Sequence, residues 1–213
     1  MWSWDITYLR SPIRGSFYYL YLVVDVWSRK VVGWKVHECE SPELAAALIK
    51  EAVEQEGAAA ERLVLHSDNG GPMKGATLLA MLGALGIVPS FSRPRVSDDN
   101  PYSEALYRTV KYRPEYPSTP FRSLEDARWW VRAFVGWYNT EHRHSAIRFV
   151  TPVQRHGGEH LLVLSGRKEV YEEAKRKRPN RWSGQVRDWR PIGEVVLNPS
   201  SHPLTSHDAM LSA

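Results

Sequence analysis

Hydrophobic residues in the first forty positions fall into three short blocks that predict three β-strands. The first block is Trp4 to Leu9. The second, Phe17 to Trp27, is nearly continuous in β-branched and aromatic residues, which is typical of a strand covered on both faces. A tight turn at 28–30 leads to a third block, Val31 to His37. Together the blocks predict a three-stranded meander.

Helical and strand patterns alternate through the next hundred residues. Ser41 and Pro42 predict a helix start through an N-cap and a first-turn proline, and Gly57 predicts the end of that helix. The remaining predicted elements are a strand at Arg62–His66, a helix at about Lys74–Leu85, a strand at Ile87–Ser90, a helix from Asn100-Pro101 and a helix at about Ser123–Thr140. This order predicts an α/β fold with a mixed sheet flanked by helices.

The pattern changes after Thr151-Pro152. Residues 166–191 are charged, rich in Arg and Trp, and lack a long apolar face. We therefore divide the chain into a core at residues 1–155 and a small basic appendage at residues 156–199, with a last strand near Glu194–Leu197. Residues 200–213 have the composition of a disordered tail.

Charge separates these regions further. Residues 143–190 contain twelve Lys/Arg and five Asp/Glu, a net charge of +7, whereas the rest of the chain carries a net charge of −3. A basic arm of this kind suggests a polyanionic partner. A solvated helix with a lysine-rich face is the alternative.

Composition narrows the class of protein. An apolar share of 43% in 213 residues suits one domain with an appendage. A single cysteine, Cys39, excludes an internal disulfide and fits a reducing compartment. No signal peptide is recognisable, and the longest apolar run contains Asp25 and is too short to span a bilayer. We expect a soluble cytoplasmic protein with no membrane partner.

Three acids stand where buried elements begin or end. Asp68 follows a predicted strand at the place where open α/β sheets usually carry their sites. Asp5 lies inside the first strand, where an ionised carboxylate is costly unless it is paired or binds a metal. Glu104 lies in the first turns of a helix, with Arg108 and Lys111 on the same face. That face suits a metal-bound phosphodiester or, alternatively, a simple ion pair within the helix.

Several segments in a fixed order carry a family resemblance. They are DIT around Asp5, HSDNG around Asp68, DNPYSE leading to Glu104, the segments Tyr21–Trp34 and Tyr138–Gln154, and later RWSG (Arg181–Gly184) with LNP (Leu197–Pro199). Thirty-five residues separate the second and third acids. These features resemble the integrase catalytic core, and more narrowly the DDE-type transposases of bacterial insertion sequences.

The resemblance implies a ribonuclease H-like, mixed five-stranded sheet flanked by helices, with the small basic C-terminal appendage. It implies that Asp5, Asp68 and Glu104 are catalytic and bind two Mg²⁺ ions, or Mn²⁺ in their place. The reaction would be strand cleavage by water at the end of a mobile element. The freed 3′-hydroxyl would then attack target DNA.

Other roles also follow from the resemblance. Contacts to DNA are expected from Arg108, Lys111, Arg143 and Arg181, and support of the turn behind Asp68 is expected from Asn69 and Gly70. The expected partners are transposon ends, target DNA and at least one more copy of the chain. A helix-turn-helix region, usual upstream in such transposases, is absent before Met1, which suggests a truncated or split product in the bacterial nucleoid.

Two other functions remain open from the sequence. The chain is alternatively a catalytically silent DNA-binding remnant, or a ribonuclease H-like nuclease. Several single residues have plain structural interpretations: His66 as a packed strand residue, Asp25 as a cap for Ser28 and Arg29, and Asp99 as a helix cap. Trp182 and Trp189 either stack on bases or anchor the appendage.

Overall fold

The computed structural model describes residues 1–93, 99–195 and 197. Its five strands form one mixed sheet in the order β3-β2-β1-β4-β5. β1 pairs antiparallel with β2 and parallel with β4, β2 pairs antiparallel with β3, and β4 pairs parallel with β5. The strands are β1 Trp2–Arg10, β2 Phe17–Asp25, β3 Val31–His37, β4 Val64–Ser67 and β5 Val88–Phe91. The predicted mixed five-stranded sheet is confirmed.

Six α-helices accompany the sheet. They are α1 Pro42–Glu56, α2 Ala76–Leu85, α3 Pro101–Tyr112, α4 Leu124–Thr140, α5 Pro152–His156 and α6 His160–Lys177. The predicted cap of α1 is confirmed, since the Ser41 side chain accepts from the N–H groups of Glu43 and Leu44, and Gly57 closes the helix in the left-handed conformation.

The helices cover both faces of the sheet. One core packs β1 residues Trp2 and Trp4 and β2 residue Val23 against α1 and α2. The other packs β2 residues Leu20 and Leu22 against α3 and α4. Because successive side chains of a strand point to opposite faces, β2 is buried on both, as its unbroken apolar sequence predicts.

The basic region contains a helix. α6 buries little besides His160 and Leu164, and its remaining face is solvated. Pairs four residues apart, such as Lys168 with Glu172, support it. The described part of the basic arm thus contains a largely exposed helix, and a polyanionic partner stays a prediction.

The segment after α6 folds back onto the end of the core. Trp189 is buried against Ile147, Val150 and Leu164. The guanidinium of Arg155, buried to 1% exposure, donates to the carbonyl of Ile192 at 3.0 Å. The anchoring role considered for Trp189 is confirmed.

The predicted last strand is wrong for its described residues. Glu194, Val195 and Leu197 are not in a strand, while residue 196 lies outside the described part of the chain. Directly before it, the carbonyls of Ile192 and Gly193 accept hydrogen bonds from Arg155, so the chain enters this segment bound to a side chain of the core. The predicted tail at 200–213 lies outside the described residues, and the domain boundary near residue 155 stays a prediction.

No helix in the described ranges has the length and apolar character needed to cross a membrane.

Replacing Trp189 with alanine should release the returning segment. The substitution removes the largest side chain of a small core, and such changes cost about 3–5 kcal/mol. We expect trypsin to cut after Arg187 faster in Trp189→Ala than in the wild type, as measured by limited proteolysis with mass spectrometry. Trp182→Ala, at a half-buried residue, is the matched control. Equal cleavage rates in all three proteins would contradict the anchoring role.

Candidate active site

The pairing of β1 with β4 brings two of the predicted acids together. In this parallel pair Trp2 lies opposite Leu65 and Ser3 opposite His66. Continuing the register by two residues sets Asp5 opposite Asp68, which follows the last residue of β4. Strand alternation directs Asp5 away from the core that holds Trp4 and toward the face covered by α3.

Buried polar contacts fix the start of α3 against β1. The Ser3 hydroxyl donates to Asn100 Oδ1 and lies 2.8 Å from Ser103 Oγ. The Asn100 amide also donates to the Trp4 carbonyl at 3.3 Å. We call Ser3, Asn100 and Ser103 the β1–α3 clamp. Because Glu104 follows Ser103 directly, the clamp brings the third acid to the side of β1 that carries Asp5.

Hydrogen bonds from His66 and Arg93 hold Asp99, which lies just before the first residue of α3. His66, with 2% exposure, places Nε2 3.0 Å from the Asp99 carbonyl and Nδ1 3.0 Å from Ser90 Oγ. Since a carbonyl only accepts, Nε2 carries the proton and Nδ1 accepts from the Ser90 hydroxyl. His66 is therefore a packed, hydrogen-bonded residue, as predicted. The Asp99 carboxylate binds the Arg93 side chain, whose hydrogen bonds lower the pKa of Asp99 to about 2.

The turn after Asp68 is shaped by Asn69 and Gly70. The Gly70 N–H donates to Asp68 Oδ1 at 2.9 Å, and Asn69 Nδ2 donates to the Ser92 carbonyl at 2.8 Å. A Cβ on Gly70 would lie 2.9 Å from Met73 Sδ and 3.1 Å from Asp68 Oδ1. These contacts agree with the supporting roles predicted for both residues.

Electrostatics couple the three predicted acids. The pKa of Asp5 is raised to about 7, chiefly by burial; the negative charges of Asp68, Glu104 and Glu40 also raise it, and the hydrogen bond from the Ile6 N–H lowers it. Such a shift marks a carboxylate that is poorly compensated in its ionised form. Glu40 lies between β3 and α1 and belongs to no motif, so sequence reasoning missed it.

Tyr107 is a second residue that sequence reasoning missed. Tyr107 lies on the buried side of α3 with 8% exposure. Among the described residues its hydroxyl has no hydrogen-bond partner. Burial raises the pKa of Tyr107 well above its usual value, with further contributions from the charges of Asp5 and Asp68. The hydroxyl is thus a buried donor on the side of α3 that faces the acids.

The carboxylates of Asp5, Asp68 and Glu104 are suitable ligands for a hard divalent cation, but they do not lie close enough together in the described structure to bind one. Carboxylate oxygens are the ligands that Mg²⁺ and Mn²⁺ prefer. Yet in ranges 1–93 and 99–195, together with residue 197, no three His, Cys, Asp or Glu side chains lie close enough to hold an ion. Asp5 Oδ1 accepts from the Ile6 N–H at 2.7 Å, and Asp68 Oδ1 is held by Gly70. The assignment of a metal to these acids stays a prediction.

The predicted DNA-binding cations lie in two regions. Arg108 and Lys111 are exposed on α3 with Glu104, while Leu106 and Val110 point into the core. Arg143 is exposed after α4, and Arg181 is exposed after α6 beside Arg178 and Trp182. The first pair flanks the acids, whereas the second pair belongs to the basic region.

Asp25 is correctly left out of the site. Its carboxylate accepts from the Ser28 N–H at 2.9 Å and from the Ser28 hydroxyl at 2.5 Å. Burial alone would raise the pKa of Asp25, but the hydrogen bonds with His156 and Ser28 outweigh it and lower the pKa. The predicted turn-capping role is confirmed.

Comparison with known proteins agrees with this geometry. Two profiles of the integrase core domain match the chain, over residues 1–97 and residues 85–152. The transposase InsF of insertion sequence IS3A from Escherichia coli is 31% identical over 157 residues, covering 72% of this chain and 52% of that protein. The transposase of IS904 from Lactococcus lactis is 28% identical over 153 residues, covering 71% and 59%. The chain thus spans about half the length of these curated relatives.

Solved integrase cores share the fold. The catalytic core domain of BIV integrase matches with a TM-score of 0.55 at 20% identity, over 76% of this chain and 97% of that one. The trimeric form of the HTLV-2 integrase catalytic core domain in complex with magnesium matches with a TM-score of 0.53 at 18% identity, over 72% and 93%. The fold is that of an integrase core. The chain belongs to the integrase core family, and the curated relatives named above are transposases of bacterial insertion sequences.

The raised pKa of Asp5 predicts a pH-dependent cost to stability. The folded chain holds this proton up to about pH 7, whereas the unfolded chain releases it near the model-peptide value. Stability without metal is therefore lost as the pH rises between these two values. We expect Asp5→Asn to raise the free energy of unfolding at pH 8 by up to about 4 kcal/mol, with little effect at pH 4, as measured by urea unfolding in EDTA.

The control for this measurement is Asp25→Asn. Because the ionised Asp25 is stabilised by its hydrogen bonds, its replacement should lower stability at pH 8. A destabilised Asp5→Asn variant at pH 8 would contradict the proposed coupling of Asp5 to the other acids.

Proposed function

We propose that this chain is the catalytic domain of a DDE transposase that cleaves and joins DNA strands with divalent metal ions. The observation that carries the proposal is the β1–β4 pairing together with the β1–α3 clamp, whose continuation would bring Asp5, Asp68 and Glu104 to one side of the sheet. The raised pKa of Asp5, to which the charges of Asp68 and Glu104 contribute after burial, supports the proposal. Carboxylates held in mutual repulsion are stabilised by a cation.

Asp5, Asp68 and Glu104 would hold the ions, which we expect to be two Mg²⁺ or Mn²⁺. When bound, such ions polarise phosphate oxygens and make water or a hydroxyl a better nucleophile. The chain's own residues position these groups: β1 holds Asp5 rigidly, the Gly70 N–H orients Asp68, and the clamp aims Glu104. No serine or tyrosine nucleophile is required.

Arg108 and Lys111 would bind phosphates next to the cleaved bond. Both are exposed and lie one and two turns along α3 from Glu104, at about 6 Å and 10 Å of helix rise. Arg143 and Arg181, in the basic region, would contact DNA further from the acids. Phosphate contacts of this kind position the duplex without reading its sequence.

The proposed substrate is the DNA of element ends and target, handled by at least two copies of the chain. The relatives named above are transposases of insertion sequences, and a matching structure is the intasome of simian T-cell lymphotropic virus with a TM-score of 0.58. The reading of terminal repeats would rest on a helix-turn-helix region or partner protein.

One alternative to a catalytic domain is supported by a specific observation in the structure. Since the described acids are not assembled at coordinating distance, a catalytically silent DNA-binding transposase remnant is the second candidate. The ribonuclease H-like nuclease has no such support, because the curated relatives are transposases. Metal-dependent cleavage separates the first two candidates.

Neutralising one acid should abolish cleavage of element-end DNA. We expect the wild-type chain to nick a duplex of this kind with Mg²⁺ or Mn²⁺. Asp68→Asn and Glu104→Gln should each lower the rate by more than the roughly 10- to 100-fold typical of losing an outer-sphere partner. The rate is measured on denaturing gels. Glu61→Gln, an exposed acid before the opposite end of β4, should cleave normally. Binding without cleavage by the wild type would instead establish the remnant.

Removing a phosphate-binding cation should change the salt dependence of DNA affinity. Each phosphate contact contributes about −0.9 to the slope of log K against log salt. We expect Lys111→Ala to make that slope shallower by about one, as measured by fluorescence anisotropy with Ca²⁺ in place of Mg²⁺. Lys50→Ala, an exposed cation on α1, is the control. An unchanged slope would remove Lys111 from the interface.

A further inference from the structure

A cavity opens between α3 and α4. Its volume is about 600 Å³, within the range of small-molecule sites. Its lining includes Ala105, Arg108, Tyr112, Arg113, Trp137 and His142. Ala105 directly follows Glu104 in α3, so one end of the cavity lies within a helical turn of the third predicted acid.

The α3 side of the cavity is continuous with the face that carries Glu104. Arg108 lines the cavity and also lies one helical turn from Glu104. Tyr112 lies one turn further, at about 12 Å of helix rise from Glu104. Stacked DNA rises about 3.4 Å per nucleotide in each strand. A strand held at Glu104 therefore reaches Tyr112 within about four nucleotides.

Arg113 is a cation of the cavity wall whose position is fixed by its neighbours, although one of its nitrogens has no hydrogen-bond partner among the described residues. The Arg113 guanidinium lies over the Trp137 ring, with Cζ 3.6 Å from the centroid, and its Nε donates to Glu115 at 2.6 Å. Its Nη1 is buried without a hydrogen-bond partner among the described residues. The guanidinium of Arg113 therefore keeps a fixed cation in the cavity wall, and the exposed Arg108 beside it offers the donors that an anionic oxygen can reach. Glu115, the acid of the cavity, is already bound to Arg113.

The cavity also offers aromatic surface. The Tyr112 side chain is 81% exposed, which is unusual for an aromatic ring of a helix that packs on a sheet. Trp137 and His142 lie across the cavity, with ring centroids 4.9 Å apart. Aromatic rings beside cations are the combination that binds unstacked bases together with their phosphates.

We propose that this cavity binds one nucleotide of the DNA strand as an unstacked base, with the base against Tyr112 and the phosphate at Arg108 and Arg113. The inference rests on the proposed function in taking DNA as the substrate. An extrahelical base costs a few kcal/mol to unstack, and least where it is already unpaired. The site therefore favours frayed or single-stranded ends over intact duplex.

The test uses a duplex with a four-nucleotide single-stranded overhang that carries 2-aminopurine, whose fluorescence falls on stacking. The 213-residue chain is titrated in EDTA, so that neither metal nor cleavage enters the readout. We expect quenching with the wild type and with Tyr112→Phe. Tyr112→Ala should lose the quenching and bind about tenfold more weakly, within the range of base–aromatic stacking. Trp129→Ala, a 70% exposed aromatic of α4 outside the lining, should behave as wild type.

Two additional binding experiments, with a blunt duplex and with free dAMP, identify which ligand the cavity binds. A blunt duplex should bind equally to wild type and Tyr112→Ala, because it offers no unstacked base. Free dAMP should not displace the overhang at comparable concentrations; displacement would assign the cavity to free nucleotides and overturn the proposal. Equal binding of the overhang by wild type and Tyr112→Ala would also overturn it.

The result is separable from the proposed function. A chain that nicks DNA but shows no Tyr112-dependent quenching contradicts the cavity alone. A chain that shows the quenching but never nicks DNA with Mg²⁺ contradicts the catalytic proposal alone.

Discussion

The charge on Asp5 is the constraint on which the rest of the site depends. The residue lies in the central strand of the sheet, where parallel pairing sets it opposite Asp68 and the β1–α3 clamp brings Glu104 to the same side. Burial and like charges raise the pKa of Asp5 to about 7. A rigid sheet therefore holds a carboxylate where its ionised form is unfavourable, and a cation is the natural source of compensation.

The surrounding contacts explain how the fold tolerates this cost. Ser3, Asn100 and Ser103 form a buried polar network that satisfies its own members, and His66 uses both ring nitrogens. Apolar cores on both faces of β2 supply the stability on which the site depends. Among the described residues the acids are not close enough together to hold an ion, and backbone N–H groups bind the carboxylates of Asp5 and Asp68.

Local signals predicted most of the fold, and contacts between distant segments account for the rest. Ser41, Pro42 and Gly57 bound α1 because caps are local, and the apolar run of β2 shows burial on both faces. Tyr107, by contrast, resembles any helical core residue until its neighbours are known. The strand predicted near Glu194 was wrong, and the residues just before it, Ile192 and Gly193, are held by Arg155 from about forty residues earlier, a contact that no local pattern shows. The three acids were singled out by their positions in the predicted elements and given a catalytic role by the family resemblance, whereas the cavity at Tyr112 required the packing of α3 on α4.

The central claim is that Asp5, Asp68 and Glu104 form one site for a divalent cation. The most direct measurement is a ¹³C NMR titration of the Asp5 carboxyl group, with and without Mg²⁺. The account predicts a pKa near 7 without the ion and a fall of more than about one unit when Mg²⁺ is saturating, since a bound cation favours the ionised form. A pKa near 3.8, unchanged by Mg²⁺, would contradict it.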